Sequence, residues 1–114
     1  MATIYKICEQ AAWRDAERAG RYDGSVVDKQ DGFIHFSAAT QVAETAARHF
    51  AGQRDLMLIA VDDSALGAAL RWEKSRGGDL FPHLYAALPL HAVRWARPLA
   101  DETNGRRAFP ELTP

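Results

Sequence analysis

The stretch Asp55-Leu56-Met57-Leu58-Ile59-Ala60-Val61-Asp62 decides the fold: it is a near-continuous apolar run between two aspartates. A short run of this kind reads as a strand covered on both faces, because neither face has a polar set to offer to water. A strand covered twice lies at the centre of a sheet with packed layers above and below it. The run is also far shorter than the ~20 apolar residues needed to cross a bilayer, so no membrane partner is expected.

Upstream, residues 3–8 (TIYKIC) alternate and are rich in β-branched and aromatic side chains, which predicts a strand. Ile4, Lys6 and Cys8 share one face, and Tyr5 and Ile7 the other. Residues 9–19 predict a helix with Ala12, Trp13, Ala16 and Ala19 on its buried stripe, stopped by Gly20. Residues 21–32 (RYDGSVVDKQDG) are polar and carry two Asp-Gly pairs, which predicts a loop, long enough to serve as a functional lid. Residues 33–36 predict a short strand, and Ser37 an N-cap for a second helix running to about Phe50 with Val42, Ala46 and Phe50 on one stripe. Downstream, 70–74 (LRWEK) alternate, with Leu70 and Trp72 expected inward and Arg71 and Glu73 on the opposite face. Residues 76–79 predict a turn, 81–84 a strand start after Pro82 or an extended segment, and 92–96 a last strand. Trp13, Phe33 or Phe36, Val42, Phe50, Leu58 and Trp72 are the expected core.

The order of elements predicts an α+β fold: a single domain over 1–114, two main helices on a mainly antiparallel sheet that is either whole or split, and a tail from about residue 98 lying on the surface. At 114 residues and 47% hydrophobic content, one core is supported and wholesale disorder is excluded. The net charge of -1 carries no strong nucleic-acid signature. A single cysteine, Cys8, cannot close an intrachain disulfide, and no apolar signal core opens the chain; both lead to the expectation of a cytoplasmic protein. Nothing in the sequence fixes an oligomeric state.

Three blocks carry side chains capable of chemistry. In Gly32-Phe33-Ile34-His35-Phe36-Ser37, a histidine precedes a hydroxyl at a helix start, where unpaired backbone N–H groups favour an anion. The same residues also describe a core histidine beside an N-cap serine, which is the commoner arrangement. In residues 71–79, Arg71, Glu73 and Arg76 surround a flexible Gly77-Gly78, as ligand groups or as surface ion pairs around a turn. In residues 80–85, His83 and Tyr85 share a face and form a pair able to orient a ligand or relay a proton, or a sheet-edge pair with a packed tyrosine. The four histidines have no metal-ligand spacing, so no metal is expected.

With these blocks in hand, the sequence resembles an uncharacterised bacterial family, domain of unknown function 952. The residues that carry the resemblance are Ile4-Tyr5-Lys6-Ile7, Trp13, residues 31–37 and 49–52, Leu66-Gly67, Arg71-Trp72-Glu73 and Phe81-Pro82-His83-Leu84-Tyr85. The element order, with His35 in an aliphatic-His-aromatic-small segment after the first helix, is more distantly similar to the ADP-ribosyltransferase-fold domain of tRNA 2'-phosphotransferases. The opening histidine segment of that domain has no counterpart, and Tyr5-Lys6-Ile7-Cys8 stands in its place. This resemblance implies an ADP-ribosyltransferase-like fold and a nucleotide ligand, with NAD as a substrate.

The first function expected on that basis is an ADP-ribosyltransferase-type enzyme that breaks the nicotinamide–ribose bond through an oxocarbenium-like transition state. His35, His83 and Glu73 are its candidate catalytic residues, and Lys6, Ser37, Arg71, Arg76 and Tyr85 its candidate ligand-binding residues. The alternative is a non-catalytic module binding a small ligand or a protein. A third reading, a hydrolase using His35 and His83 as acid and base, predicts a bell-shaped pH profile.

Overall fold

The computed structural model describes residues 2–114, with the Arg76 side chain outside the described set. The apolar run forms strand β5 at Leu56–Asp62, antiparallel to the first strand, β1, at Thr3–Glu9. These two are the inner strands of a four-stranded antiparallel sheet, completed by the two-residue β4 (Ser37–Ala38) beside β1 and by β9 (Val93–Leu99) beside β5. Alternation along β5 divides the interior as the period of two requires. Ile59 and Val61 join Ile4, Cys8, Trp13 and Ala16 on one face. Leu56, Leu58 and Ala60 join Tyr5, Ile7, Val42 and Ala46 on the other. Helix α1 (Gln10–Ala19) covers the first face and ends at Gly20, whose left-handed φ of 83° costs glycine no strain. Helix α3 (Val42–His49) covers the second face.

The rest of the chain builds a smaller layer on the α1 side. Strands β6 (Leu70–Lys74), β7 (Leu80–Leu84) and β3 (Ile34–His35) form a three-stranded antiparallel sheet in the order β3-β7-β6. Strand β2 (Arg21–Tyr22) pairs with β8 (Leu88–Pro89). Of the two arrangements the sequence allows, a whole or a split antiparallel sheet, the chain takes the split one, with β3 in one sheet and β4 in the other. Phe36 carries the chain between them: its side chain is buried and its N–H donates to the Pro82 carbonyl at 3.0 Å.

Four expectations need correction. Residues 21–32 are not a plain loop: they hold β2 and a third helix, α2 (Val26–Asp31), closed at one end by a capping box between Ser25 and Asp28 and at the other by Gly32 in the left-handed region. Ser37 does not cap the second helix. It is paired with Tyr5 in β4, and its hydroxyl lies 2.9 Å from that of Thr45. The turn ahead of α3 is instead closed by Gln41, whose Oε1 accepts the Ala38 N–H. Trp72 is 40% exposed rather than buried, because β6 is the outer strand of the small sheet and alternation does not reveal which face of an edge strand is covered. Phe50 only rims the second core.

Beyond β9 the chain packs back across the α3 face. Phe109 and Leu112 rest on the second core, and the Tyr5 hydroxyl donates to the Thr113 carbonyl while accepting the Thr113 N–H. The Arg107 guanidinium donates to the carbonyls of Ala100, Phe50 and Gln53. No helix among the described residues is long and apolar enough to cross a membrane.

Candidate functional site

Strand register brings the two histidines together. His35 of β3 stands directly opposite His83 of β7, with ring centroids 5.6 Å apart. Arg71 of β6 stands opposite His83 on its other side. Phe33, just before β3, stacks on the His83 ring at 4.0 Å and lies 4.6 Å from His35 and 5.3 Å from Tyr85. One phenyl ring thus touches three of the side chains singled out in the sequence.

Each histidine is held by its own carboxylate. Asp28 Oδ1 lies 2.6 Å from His35 Nδ1 and also accepts the His35 backbone N–H at 3.1 Å. Glu73 Oε1 lies 2.8 Å from His83 Nδ1 and accepts the Tyr85 hydroxyl at 2.6 Å. An ionised carboxylate only accepts, so both imidazoles donate from Nδ1. His83 Nε2 is then an acceptor, and it is buried with no partner among the described residues. His35 Nε2 faces the half-exposed Asp31 carboxylate at 2.9 Å, which also only accepts, so this ring donates from both nitrogens.

Asp28 is the centre of the arrangement and was not visible as a site residue in the sequence. It is 2% exposed and accepts from Lys6 Nζ at 2.8 and 3.0 Å, from the Ser25 N–H at 2.8 Å and from His35. Burial works against its ionisation, but His35, Lys6 and the Ser25 N–H outweigh that and hold the carboxyl well below the usual range. Gly24 makes room for it: a Cβ there would stand 2.9 Å from the Asp28 Cβ, and the backbone φ of 104° already excludes most side chains. The one sequence signal for Asp28 is its place three residues after Ser25, the spacing of a capping box, although aspartate is shorter than the usual glutamate or glutamine. Glu73 is likewise held low, first by the Tyr85 hydroxyl and then by His83, and the same bond raises the Tyr85 phenol.

A concavity of about 240 Å³ opens against this cluster, lined by Asp23, Asp28, Lys29, Phe33, Leu84 and Tyr85 among others. The Arg71 guanidinium lies over the Tyr85 ring, 4.9 Å from its centroid. Of the eight residues singled out in the sequence, His35, His83, Glu73, Tyr85, Arg71 and Lys6 gather here, on the side of the main sheet that carries the small sheet. Ser37 does not, since Phe36 turns the chain into the other sheet and leaves its hydroxyl against α3. The Arg76 side chain lies outside the described set. An anion seat built from Ser37 and the first turn of the second helix is therefore not part of this cluster.

The family model described as "Protein of unknown function (DUF952)" matches residues 7–96. The chain belongs to the DUF952 family. Its fold is shared by protein CC0527 from Caulobacter crescentus. The crystal structure of that protein is 47% identical, aligns over 93% of each chain and has a TM-score of 0.89. Its solution NMR structure is 48% identical over 92% of this chain and 90% of that one, with a TM-score of 0.82. No curated protein matches. The matched span of the DUF952 chain contains every residue of the cluster except Lys6, which precedes it by one position.

Proposed function

We propose that this DUF952 protein is a cytoplasmic enzyme of ADP-ribosyltransferase type that takes NAD or an ADP-ribose-like nucleotide in the cleft beside Phe33. The observation that carries the reading is the facing pair of histidines, each oriented through Nδ1 by its own carboxylate, across one shared aromatic ring. That pair leaves His83 Nε2 as a buried acceptor suited to a ribose hydroxyl. Phe33 and Tyr85 supply a wall for a flat heterocycle. The Glu73 carboxylate, held ionised by Tyr85 and His83, supplies negative charge to an oxocarbenium-like ribose as the nicotinamide leaves and the oxygen of a second substrate, or of water in its absence, bonds to the ribose carbon and gives up its proton. Lys29 on the wall of the concavity and Arg71 over Tyr85 are the cations that would meet a diphosphate there. The resemblance of the element order to tRNA 2'-phosphotransferases supports the same reading.

Incubation with NAD, followed by chromatography for free nicotinamide, tests the chemistry. Turnover that is lost in Glu73→Gln while ADP-ribose binding persists is the expected result. Absence of both binding and turnover in the wild type overturns it. A second reading is a non-catalytic module that binds a small ligand or a protein: the concavity of about 240 Å³ is below the ~300–1,000 Å³ of ordinary ligand pockets and encloses only part of a dinucleotide. Its mark is ADP-ribose bound with no nicotinamide released.

A further inference from the structure

His35 is held on two sides by carboxylates of very different standing. Asp28 on Nδ1 is buried, tied to Lys6 and to the start of α2, and also grips the His35 backbone; it fixes the ring. Asp31 on Nε2 is 48% exposed and is the last residue of α2, followed by the helix-ending Gly32. A carboxylate at a helix C-terminus is disfavoured by the helix dipole, so the helix gives Asp31 no reason to stay there. An exposed ion pair adds little and gives way easily.

We infer that Asp31 occupies the seat of an anionic oxygen of the ligand, and that a phosphate or diphosphate group binds by displacing it from His35 Nε2. The inference rests on the nucleotide reading for the identity of the ligand but not for the chemistry of the seat. Asp28 sets the ring so that Nε2 points to one place. Whatever anion takes that place meets an N–H donor already oriented, with Lys29 of α2 two residues back along the chain. The chain's own carboxylate is the resident competitor, and Asp28 is the positioning residue that makes the competition possible.

The test is to titrate inorganic pyrophosphate into the wild-type protein and Asp31→Asn, followed through the ring ¹⁵N and ¹H resonances of His35. Removing the competitor should tighten pyrophosphate about two- to fivefold, the weight of an exposed ion pair. In the absence of pyrophosphate, the substitution should shift Nε2 and leave Nδ1 in place. Asp15→Asn on α1 makes the same change of net charge away from the cleft and should leave the affinity unchanged. Equal pyrophosphate affinity in wild type and Asp31→Asn, or an equal gain in Asp15→Asn, overturns the inference. ADP-ribose is titrated alongside. If it binds neither protein while pyrophosphate shows the expected gain, the nucleotide reading alone falls.

Discussion

At Asp28 a single buried carboxylate serves a lysine, a histidine and a helix start. In the unfolded chain it titrates near the ordinary carboxylate value of ~3.9, and in the folded chain well below that. Between those two values the unfolded state binds more protons. Stability from this group is thus fully present above the unfolded value and is lost as the pH falls toward the folded one. Urea melts at stepped pH should show the wild type losing stability below about pH 5 more steeply than Asp28→Asn. Lys6→Met leaves the carboxylate buried without its ammonium and should cost about 3–5 kcal/mol in the same melts at neutral pH. Cys8, on the same face of β1, has its thiol pushed up to about 12 by burial, so no thiolate forms near neutrality. Alkylation by iodoacetamide at pH 8 should proceed only as fast as the protein unfolds; labelling at the rate of a free thiol would place Cys8 at the surface. The histidines and Glu73 could be read from the sequence because polar side chains in apolar strands are conspicuous. Asp28 could not, because it lies in a polar segment where an aspartate attracts no notice and where only tertiary contact buries it.

The segment 20–33 teaches the same lesson at the scale of elements. Its two Asp-Gly pairs predict a loop, and Gly24 and Gly32 do have positive φ, but the segment also holds β2 and α2. What lies between them is a six-residue helix too short to show a period, so its existence depends on the Ser25–Asp28 box and on packing. Gly24→Ala drives a methyl against Asp28 in a backbone region hostile to alanine. It should destabilise the protein by about 1–3 kcal/mol and shift the His35 ring resonances; unchanged His35 shifts would separate α2 from the histidine. The strands β1, β5 and β6 lie close to where their alternation placed them, while the covered face of β6 was misjudged because the sequence does not say that β6 is an edge. At the other end of the chain, Arg107 satisfies three carbonyls from a nearly buried position. Arg107→Ala should cost about 1–3 kcal/mol by orphaning those acceptors, read as a lower Tm in thermal melts.

Across the whole molecule, the central β5 run was enough to place two layers around one sheet, because six successive apolar side chains leave no face for water. The division into two sheets was left open by the sequence, since both arrangements bury the same residues and differ only in where a two-residue strand turns. A ligand that binds the folded cleft alone raises the stability of the whole domain. ADP-ribose at 100 times its dissociation constant should add about 2.7 kcal/mol and a matching rise in Tm, and no shift at saturating millimolar concentration would count against the proposed function. The passage at Phe36 has its own consequence. Ile34 and His35 are registered against β7, and Ser37 and Ala38 against β1, with one residue between the two pairings. Side chains alternate along a strand, so one residue gained or lost in this interval would turn either His35 away from Asp28 and His83 or Ser37 away from α3. Surface loops elsewhere in the chain can lengthen or shorten freely. The interval from 34 to 38 cannot, and any sequence that keeps this pair of histidines should preserve its length while varying its letters.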